Sequence, residues 1–232
     1  MNDYTTISTP VSANSQIARS GALLSAILAA LSLALLAALH ILSPELDPSW
    51  RMVSEYALGQ YGWVLSLMFL TMALSCVTLS VVMMPQTRTR GGKIGLGFLL
   101  AASVGMAMAS VFDITQGLHG LAVLIGNTSF PVAAILLSLS LVRANPAWFA
   151  IRRPLLWLAN FPWISLVLML ALLFIGLSQT GGKFGPEVWI GWPNRILLVA
   201  YGAWLIAVAV RAARVSHGKT RPDPAFQSTF VG

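Results

Sequence analysis

The sequence predicts an all-α protein, a bundle of six transmembrane helices, and three observations support this fold class. Hydrophobic residues make up 57% of the 232 residues, and charged residues only 9%. The mean hydropathy is +0.79, which is typical of a membrane protein. Six apolar stretches each approach the roughly 20 residues that a helix needs to cross a hydrocarbon core about 30 Å thick. A water-soluble globular domain is excluded.

Short loops separate the predicted spans. The first apolar run is longer than the roughly 7–15 residues of a signal-peptide core, so we interpret it as a true helix. Both ends of the chain are polar and have little to bury, and we expect disordered cytoplasmic segments on either side of a transmembrane domain. The predicted spans are 20–42, 60–84, 93–113, 118–142, 155–177 and 195–215, within a domain of residues 19–215, and the disordered ends are 1–18 and 216–232.

The basic residues predict that both termini lie in the cytoplasm, because positively charged loops near a span tend to stay there. The net charge of +7 is spread over several segments, which excludes a nucleic-acid-binding stripe and favours contact with anionic lipids. We expect a multi-pass protein of the cytoplasmic membrane. Its expected partners are membrane lipids, with a membrane-protein partner or a second copy as further options. The cytoplasmic side then holds Arg19, Arg88, Arg90, Lys93, Arg143, Arg152, Arg153, Arg211, Arg214, Lys219 and Arg221, and the outside holds Arg51, Lys183 and Arg195.

The loop after the first span has the pattern of a structured element. Asp47 suits a helix N-cap, Pro48 the first helical position and Gly59 the end of the helix. On such a helix Arg51 and Glu55 lie four residues apart, so they are expected to form an ion pair. The loop is therefore expected to fold rather than to act as a flexible connector.

Asp113 and His119 flank the turn between the third and fourth spans. A carboxylate beside an imidazole can orient the ring and make it a general base or a metal ligand. The same residue types can instead form a hydrogen bond that closes the loop, and the residue types alone favour that interpretation.

The last span begins with Asn194 and Arg195. The guanidinium group of Arg195 suits a bidentate ion pair with Glu55 or Asp113, or an anionic group such as phosphate. His40 lies at a similar predicted depth. The sequence therefore predicts a polar rim on the outer side, which either binds a ligand or holds the loops through salt bridges. The predicted ligand-binding residues are Arg51, Ser54, Glu55, Asp113, His119, Asn194 and Arg195.

Small residues and prolines indicate how the helices pack. A small residue recurs every four positions in the third span, and we expect this seam at the bundle centre. Pro131 and Pro162 lie beside Asn, Ser or Thr within the fourth and fifth spans. They predict either kinked helices, in which polar neighbours satisfy the freed carbonyls, or broken helices that frame a midplane site. The seam consists of Gly97, Ala101, Gly105 and Ala109.

Neither the aromatic residues nor the cysteine indicates a cofactor. Aromatics near span ends, such as Tyr56 and Trp148, suit an interfacial belt. Cys76 is the single cysteine, so the chain has no internal disulfide and no CxxC metal pattern. We therefore predict no cofactor and no metal.

Three motifs, in the first external loop, at the turn before the fourth span and at the start of the last span, together resemble a known family. In their order along the chain and their position on one side of the membrane, they are similar to the prokaryotic integral membrane family catalogued as domain of unknown function 998. The resemblance covers nearly the whole chain and implies a six-helix membrane protein with an outward-facing polar cluster. It implies no established reaction, so function is argued from the residues. The motifs are RMVSEYALG at residues 51–59, Phe112-Asp113 followed by His119-Gly120, and Gly191 followed by Asn194-Arg195.

Four functions are compatible with these residues. The simplest is non-catalytic binding of a lipid head group or small polar ligand, with Arg195 holding an anionic group. The second is an outer-leaflet hydrolase that uses His119 and Asp113, either as a general base or with His40 and Glu55 as a metal site. The third is a b-type haem protein with His40 and His119 as axial ligands. The fourth is a small transporter or a scaffold subunit of a membrane complex. Since no HExxH or GxSxG motif occurs, the sequence favours binding over catalysis.

Overall fold

The computed structural model describes residues 13–218, and every regular element in this part of the chain is a helix. Six of the helices are long and apolar enough to cross a membrane, so the predicted fold class is confirmed. A helix satisfies its own backbone hydrogen bonds, which is why apolar segments in lipid take this form. The six are α1 (Ala13–Leu42), α2 (Gly62–Met83), α3 (Arg90–Val111), α4 (Gly117–Ala144), α6 (Arg152–Gln179) and α7 (Gly191–Gly218).

The connections define two ends of the bundle. Residues 43–61, 112–116 and 180–190 form one end, which we call the long-loop end, and residues 84–89 and 145–151 lie at the opposite end. The first and last helices, α1 and α7, extend beyond the predicted spans. Most of the residues predicted to be disordered, 1–12 and 219–232, lie outside the described part of the chain. The connections also contain the 3-10 helices Val53–Leu58 and Met84–Gln86 and the short helix α5 (Pro146–Phe149).

The first long loop contains a helix, as predicted, but this helix is shorter than predicted. Its helix is a 3-10 helix that begins at Val53, five residues after the predicted start at Pro48. Asp47 does not cap it, because its Oδ1 atom accepts a hydrogen bond at 2.9 Å from the backbone N–H of Ser49 and closes a separate turn. Gly59 ends the helix, as predicted.

Helix α7 provides much of the bundle's buried core. Tyr201 and Trp204 on this helix are fully buried. Phe130 of α4 stacks on Tyr201 with 4.1 Å between ring centroids, and it meets Trp204 edge-on at 5.6 Å. These aromatic contacts fix α4 against α7 at mid-membrane depth.

The predicted small-residue seam on α3 is wrong in its position. Gly97 is exposed, and a Cβ atom added to it would meet no other atom within 4 Å. Gly105 does lie at a helix contact, since an added Cβ would lie 2.4 Å from the backbone nitrogen of Gly126 on α4. The close contact of α3 with α4 instead follows Gly92, Gly95 and Gly105, so it includes Gly105 of the predicted seam but not Gly97.

Both prolines lie inside continuous helices, so the broken-helix interpretation is wrong. Pro131 lacks the N–H group that would bond the carbonyl of Asn127, four residues earlier. The hydroxyl of Tyr201 donates to that carbonyl at 3.1 Å. The freed carbonyl is therefore satisfied by a side chain of α7. The prediction that a neighbouring Asn, Ser or Thr satisfies it is wrong for Pro131.

Candidate functional site

The long-loop end brings the predicted site residues into three separate places. The first is a buried hydrogen-bond network around Arg195. The second is a cavity between helices, lined by Ser54, His119 and Asn194. The third is the turn before α4, which holds Asp113.

Arg195 lies in the first turn of α7 and is only 3% exposed. Its Nε donates to Nε2 of His40 on α1 at 2.7 Å. Its terminal nitrogens donate to the carbonyls of Arg51 at 2.7 Å and Gly191 at 3.0 Å, and to the hydroxyl of Tyr56 at 3.0 Å. We call these five residues the Arg195 cluster. One side chain thus ties α1, the first long loop, the 3-10 helix Val53–Leu58 and α7 together.

The predicted ion pair of Arg195 with Glu55 or Asp113 is wrong. In residues 13–218 the one salt bridge joins Arg51 to Glu55 at 2.6 Å, which confirms the predicted pairing four residues apart. Glu55 also accepts a hydrogen bond from the backbone N–H of Met52 at 2.8 Å. Arg195 is instead solvated by neutral protein acceptors, so its buried guanidinium group is committed to the fold.

His40 has both ring nitrogens engaged. Nε2 faces the Nε of Arg195, which can only donate, and Nδ1 lies 2.7 Å from the carbonyl oxygen of Leu36, which can only accept. This pattern requires a neutral ring with its hydrogen on Nδ1. A metal ion or haem iron needs a free nitrogen lone pair, so the alternative of haem ligation by His40 and His119 does not fit this arrangement. The predicted four-residue metal site is not assembled either, and no other group of three or more metal-ligating side chains comes together in the described part of the chain.

Gly191 and Asn194 explain the third motif. A Cβ atom on Gly191 would lie 2.3 Å from the carbonyl oxygen of Pro48, so glycine is required where α7 begins against the first long loop. The side-chain oxygen of Asn194 accepts from the backbone N–H of Val53 at 2.9 Å. The motif therefore fixes the 3-10 helix on α7 in the position that Arg195 requires.

A cavity of about 510 Å³ lies between α3, α4, α6 and α7, with residues 52–54 of the long loop at one side. We call it the lateral cavity. Its volume falls within the roughly 300–1,000 Å³ typical of small-molecule sites. Among the residues that the structure describes, no Arg, Lys, Asp or Glu lines it. Its apolar lining includes Phe69, Met106, Val123, Leu166, Leu173 and Leu198.

The lateral cavity reaches the outside of the bundle between α4 and α6. Leu124 and Leu170 both line it, yet they are 60% and 51% exposed on the surface that faces lipid. Along α4 its lining runs from His119 to Thr128, a distance of about 13 Å at 1.5 Å per residue. Since α4 begins at Gly117, the cavity occupies the half of the membrane next to the long-loop end.

Few polar groups face this cavity, and two of them have unused hydrogen-bonding capacity. Nδ1 of His119 donates to the carbonyl of Phe112 at 2.8 Å, which leaves Nε2 without a partner among residues 13–218. The side-chain amide of Asn127, eight residues further along α4, has no hydrogen-bond partner in the same part of the chain. Ser54 and Asn194 add a hydroxyl and an amide near the long-loop end.

Asp113 does not hydrogen-bond to His119, so the predicted acid–base pair is not formed. Its carboxylate accepts hydrogen bonds from the hydroxyl and the backbone N–H of Thr115, which hold its pKa below the usual value. The predicted loop-closing hydrogen bond of His119 exists, but its acceptor is the carbonyl of Phe112. Asp113 lines a different, smaller cavity of about 280 Å³ beside Gly59.

The sequence model of a family described as a protein of unknown function, DUF998, matches residues 26–211. The chain belongs to this family. No curated protein and no solved structure matches it. The matched region runs from α1 to α7, so this DUF998 protein carries both the Arg195 cluster and the lateral cavity within it.

Sequence reasoning missed two features of this DUF998 protein, namely the burial of two aromatic side chains and the lateral cavity. Tyr56 was assigned to an interfacial belt but is 1% exposed and bonds Arg195, and Trp148 is likewise fully buried, donating to Gln86 at 3.2 Å. The position of Tyr56 within the 51–59 motif was the available signal. The lateral cavity had no signal in the sequence, because its apolar lining residues cannot be distinguished there from residues that face lipid.

Proposed function

We propose that this DUF998 protein binds one lipid-like amphipathic molecule in the lateral cavity without transforming it. The observation that carries the proposal is a largely apolar cavity that opens sideways toward lipid, with Ser54, His119 and Asn194 near its long-loop end. A ligand can enter such a site from the membrane without passing through water. An alkyl chain that comes from the bilayer leaves one apolar environment for another, so it suits this lining through van der Waals contacts with the apolar side chains.

The cavity also changes which residues we assign to the ligand. The expected anionic contact at Arg195 is replaced by contacts from Ser54, His119 and Asn194, which line the cavity near the long-loop end. The ligand's polar end would lie among these residues, and its apolar part would extend toward Leu166 and Leu173. Arg195 would act indirectly, by holding the loop that carries Ser54.

We propose further that the long-loop end faces the outside, which places the cavity in the outer leaflet. Most of the basic residues in the described chain lie at the opposite end, as the positive-inside rule requires for the cytoplasmic side. Cys76 is buried, so an engineered cysteine can be labelled selectively. A membrane-impermeant thiol reagent added to intact cells should modify a Lys183→Cys variant and leave Arg88→Cys unmodified. The reverse pattern would invert the topology.

The binding proposal is tested by filling the cavity. A Cβ atom on Gly120, which lines the cavity, would meet no other atom within 4 Å, so Gly120→Phe adds a ring to the cavity lining without a backbone clash. Gly97→Phe is the matched control, since Gly97 has the same open surroundings on α3 but does not line the cavity. Native mass spectrometry of each protein, released from mild detergent, should show a lipid adduct on the wild type and on Gly97→Phe.

Gly120→Phe should lose that adduct while it keeps the wild-type unfolding temperature. An adduct of equal abundance on both variants would place the lipid elsewhere on the bundle. Equal loss from both variants would show that the adduct depends on the general lipid-facing surface, and either result contradicts the proposal.

His119 supports a second candidate function, hydrolysis of a lipid ester in the same cavity. Its Nδ1 hydrogen bond to Phe112 orients the ring and leaves Nε2 able to take a proton from an attacking water molecule. Release of fluorophore from a long-chain acyl ester would show this activity, and His119→Ala should abolish it. The absence of release at saturating ester would leave binding as the function.

A further inference from the structure

We infer that the lateral cavity selects a neutral lipid whose polar end is a hydroxyl group, over the same lipid with an anionic head group. The inference rests on the proposed function and names its ligand class. It follows from the charges around the cavity and from the hydrogen-bonding state of His119.

The first step concerns charge. In the described part of the chain no cation lines the cavity, and the two nearest arginines in the motifs are already engaged. Arg195 donates to protein acceptors and is 3% exposed, and Arg51 is paired with Glu55. Asp113, whose pKa is lowered by Thr115, adds a negative charge in the turn next to His119. An anionic head group would lose its water without gaining a counter-charge, which is costly.

The second step concerns the hydrogen bond that the cavity offers. His119 is 8% exposed, and its Nδ1 must carry a hydrogen, because the carbonyl of Phe112 can only accept. In the neutral ring Nε2 is then an acceptor, and it has no partner among residues 13–218. An unpaired acceptor in apolar surroundings is unfavourable, and a ligand that donates a hydrogen bond removes this penalty.

A hydroxyl group is the neutral lipid head that meets both conditions. It can donate to Nε2 of His119, and its oxygen can accept from a second group such as the Ser54 hydroxyl, which also lines the cavity. An ether of the same chain keeps the acceptor but lacks the donor. A phosphate ester of the same chain brings the charge that the lining leaves unpaired.

These three head groups define the experiment. The full-length protein in nanodiscs is loaded with tritiated hexadecanol, which is then displaced by unlabelled hexadecanol, hexadecyl methyl ether or hexadecyl phosphate. The alcohol should compete about ten-fold better than the ether, as one satisfied hydrogen bond predicts. It should compete at least about a hundred-fold better than the phosphate, because of the uncompensated charge.

Replacement of His119 by Phe isolates the contact. In His119→Phe the alcohol should weaken to the affinity of the ether, while the ether itself binds as it does to the wild type. The unchanged ether affinity shows that the cavity is still folded. If the wild type prefers the phosphate, or binds alcohol and ether equally, the hydroxyl assignment is overturned.

The same measurements separate this inference from the proposed function. Equal competition by all three compounds, with binding still lost in Gly120→Phe, would retain the lipid cavity and reject hydroxyl selection. Hexadecanol binding that does not saturate, or that is unaffected by Gly120→Phe, would reject the cavity as a binding site and the inference with it.

Discussion

Replacement of Arg195 by methionine should destabilise the protein strongly, because it removes the donor from four acceptors at once. His40 Nε2, the Arg51 carbonyl and the Tyr56 hydroxyl would be left without a partner, whereas the Gly191 carbonyl keeps the backbone N–H of residue 195 within α7. Each buried group left unsatisfied costs about 1–3 kcal/mol. Methionine avoids the desolvation of a buried charge, which returns several kcal/mol. The net loss of unfolding free energy is then about 3–5 kcal/mol, because the cost of the unsatisfied acceptors outweighs the recovered desolvation energy.

The single cysteine provides the assay. Cys76 is fully buried in α2, so a thiol-reactive dye reports unfolding in detergent as the temperature rises. A loss of about 3–5 kcal/mol should lower the midpoint by roughly 10 °C for a chain of this size. Arg51→Met is the matched control. It removes a guanidinium group that is 39% exposed and leaves Glu55, which is 10% exposed, with the N–H of Met52 as a hydrogen-bond donor, so about 1–2 kcal/mol should be lost.

An Arg195→Met protein with the wild-type midpoint would refute the assignment of Arg195 to the fold. So would an Arg51→Met protein that is destabilised as much as Arg195→Met. The folded fraction of Arg195→Met should still retain a lipid adduct, and a selective loss of the adduct at a wild-type midpoint would restore Arg195 as a ligand-binding residue.

Two further predictions concern α3 and α4. Gly105→Leu should lower the free energy of unfolding by about 3 kcal/mol or more, because its Cβ atom would lie 2.4 Å from the backbone nitrogen of Gly126. Gly97→Leu should be nearly neutral, because a Cβ atom at that position would meet no other atom within 4 Å. Asn127→Leu should bind hexadecanol about five-fold more tightly, since it replaces an unpartnered amide in the lateral cavity with apolar surface. Equal midpoints for the two glycine variants would contradict the first prediction. Weaker binding by Asn127→Leu would contradict the second and would assign the amide a direct contact with the ligand.

The fold was largely predictable because hydropathy and helix length are local properties. The six spans and the Arg51–Glu55 pair follow from spacing along the chain. The position of the α3 seam did not follow, because spacing alone does not say which face of a helix meets its neighbour. The carbonyl freed by Pro131 shows the same limit, since its partner is Tyr201, far away in the sequence.

The candidate site was predictable in its residues but not in their grouping. The motifs correctly placed His119, Asn194 and Arg195 at one end of the bundle. Charge complementarity suggested that Arg195 would pair with a carboxylate, yet the nearest acceptors are a neutral imidazole, a hydroxyl and backbone carbonyls. Backbone acceptors have no sequence signature, and neither does a cavity lined by residues of five separate helices.

Photo-crosslinking tests the lateral cavity most directly. A hexadecanol analogue with a diazirine in its chain is equilibrated with the protein in nanodiscs, irradiated, and its adducts are mapped by peptide mass spectrometry. We predict adducts concentrated on the cavity segments of α4 and α6, around Val123 and Leu170, and lost in Gly120→Phe but not in Gly97→Phe. Adducts spread evenly over lipid-facing residues such as Ile27 of α1, and unchanged in Gly120→Phe, would contradict the account.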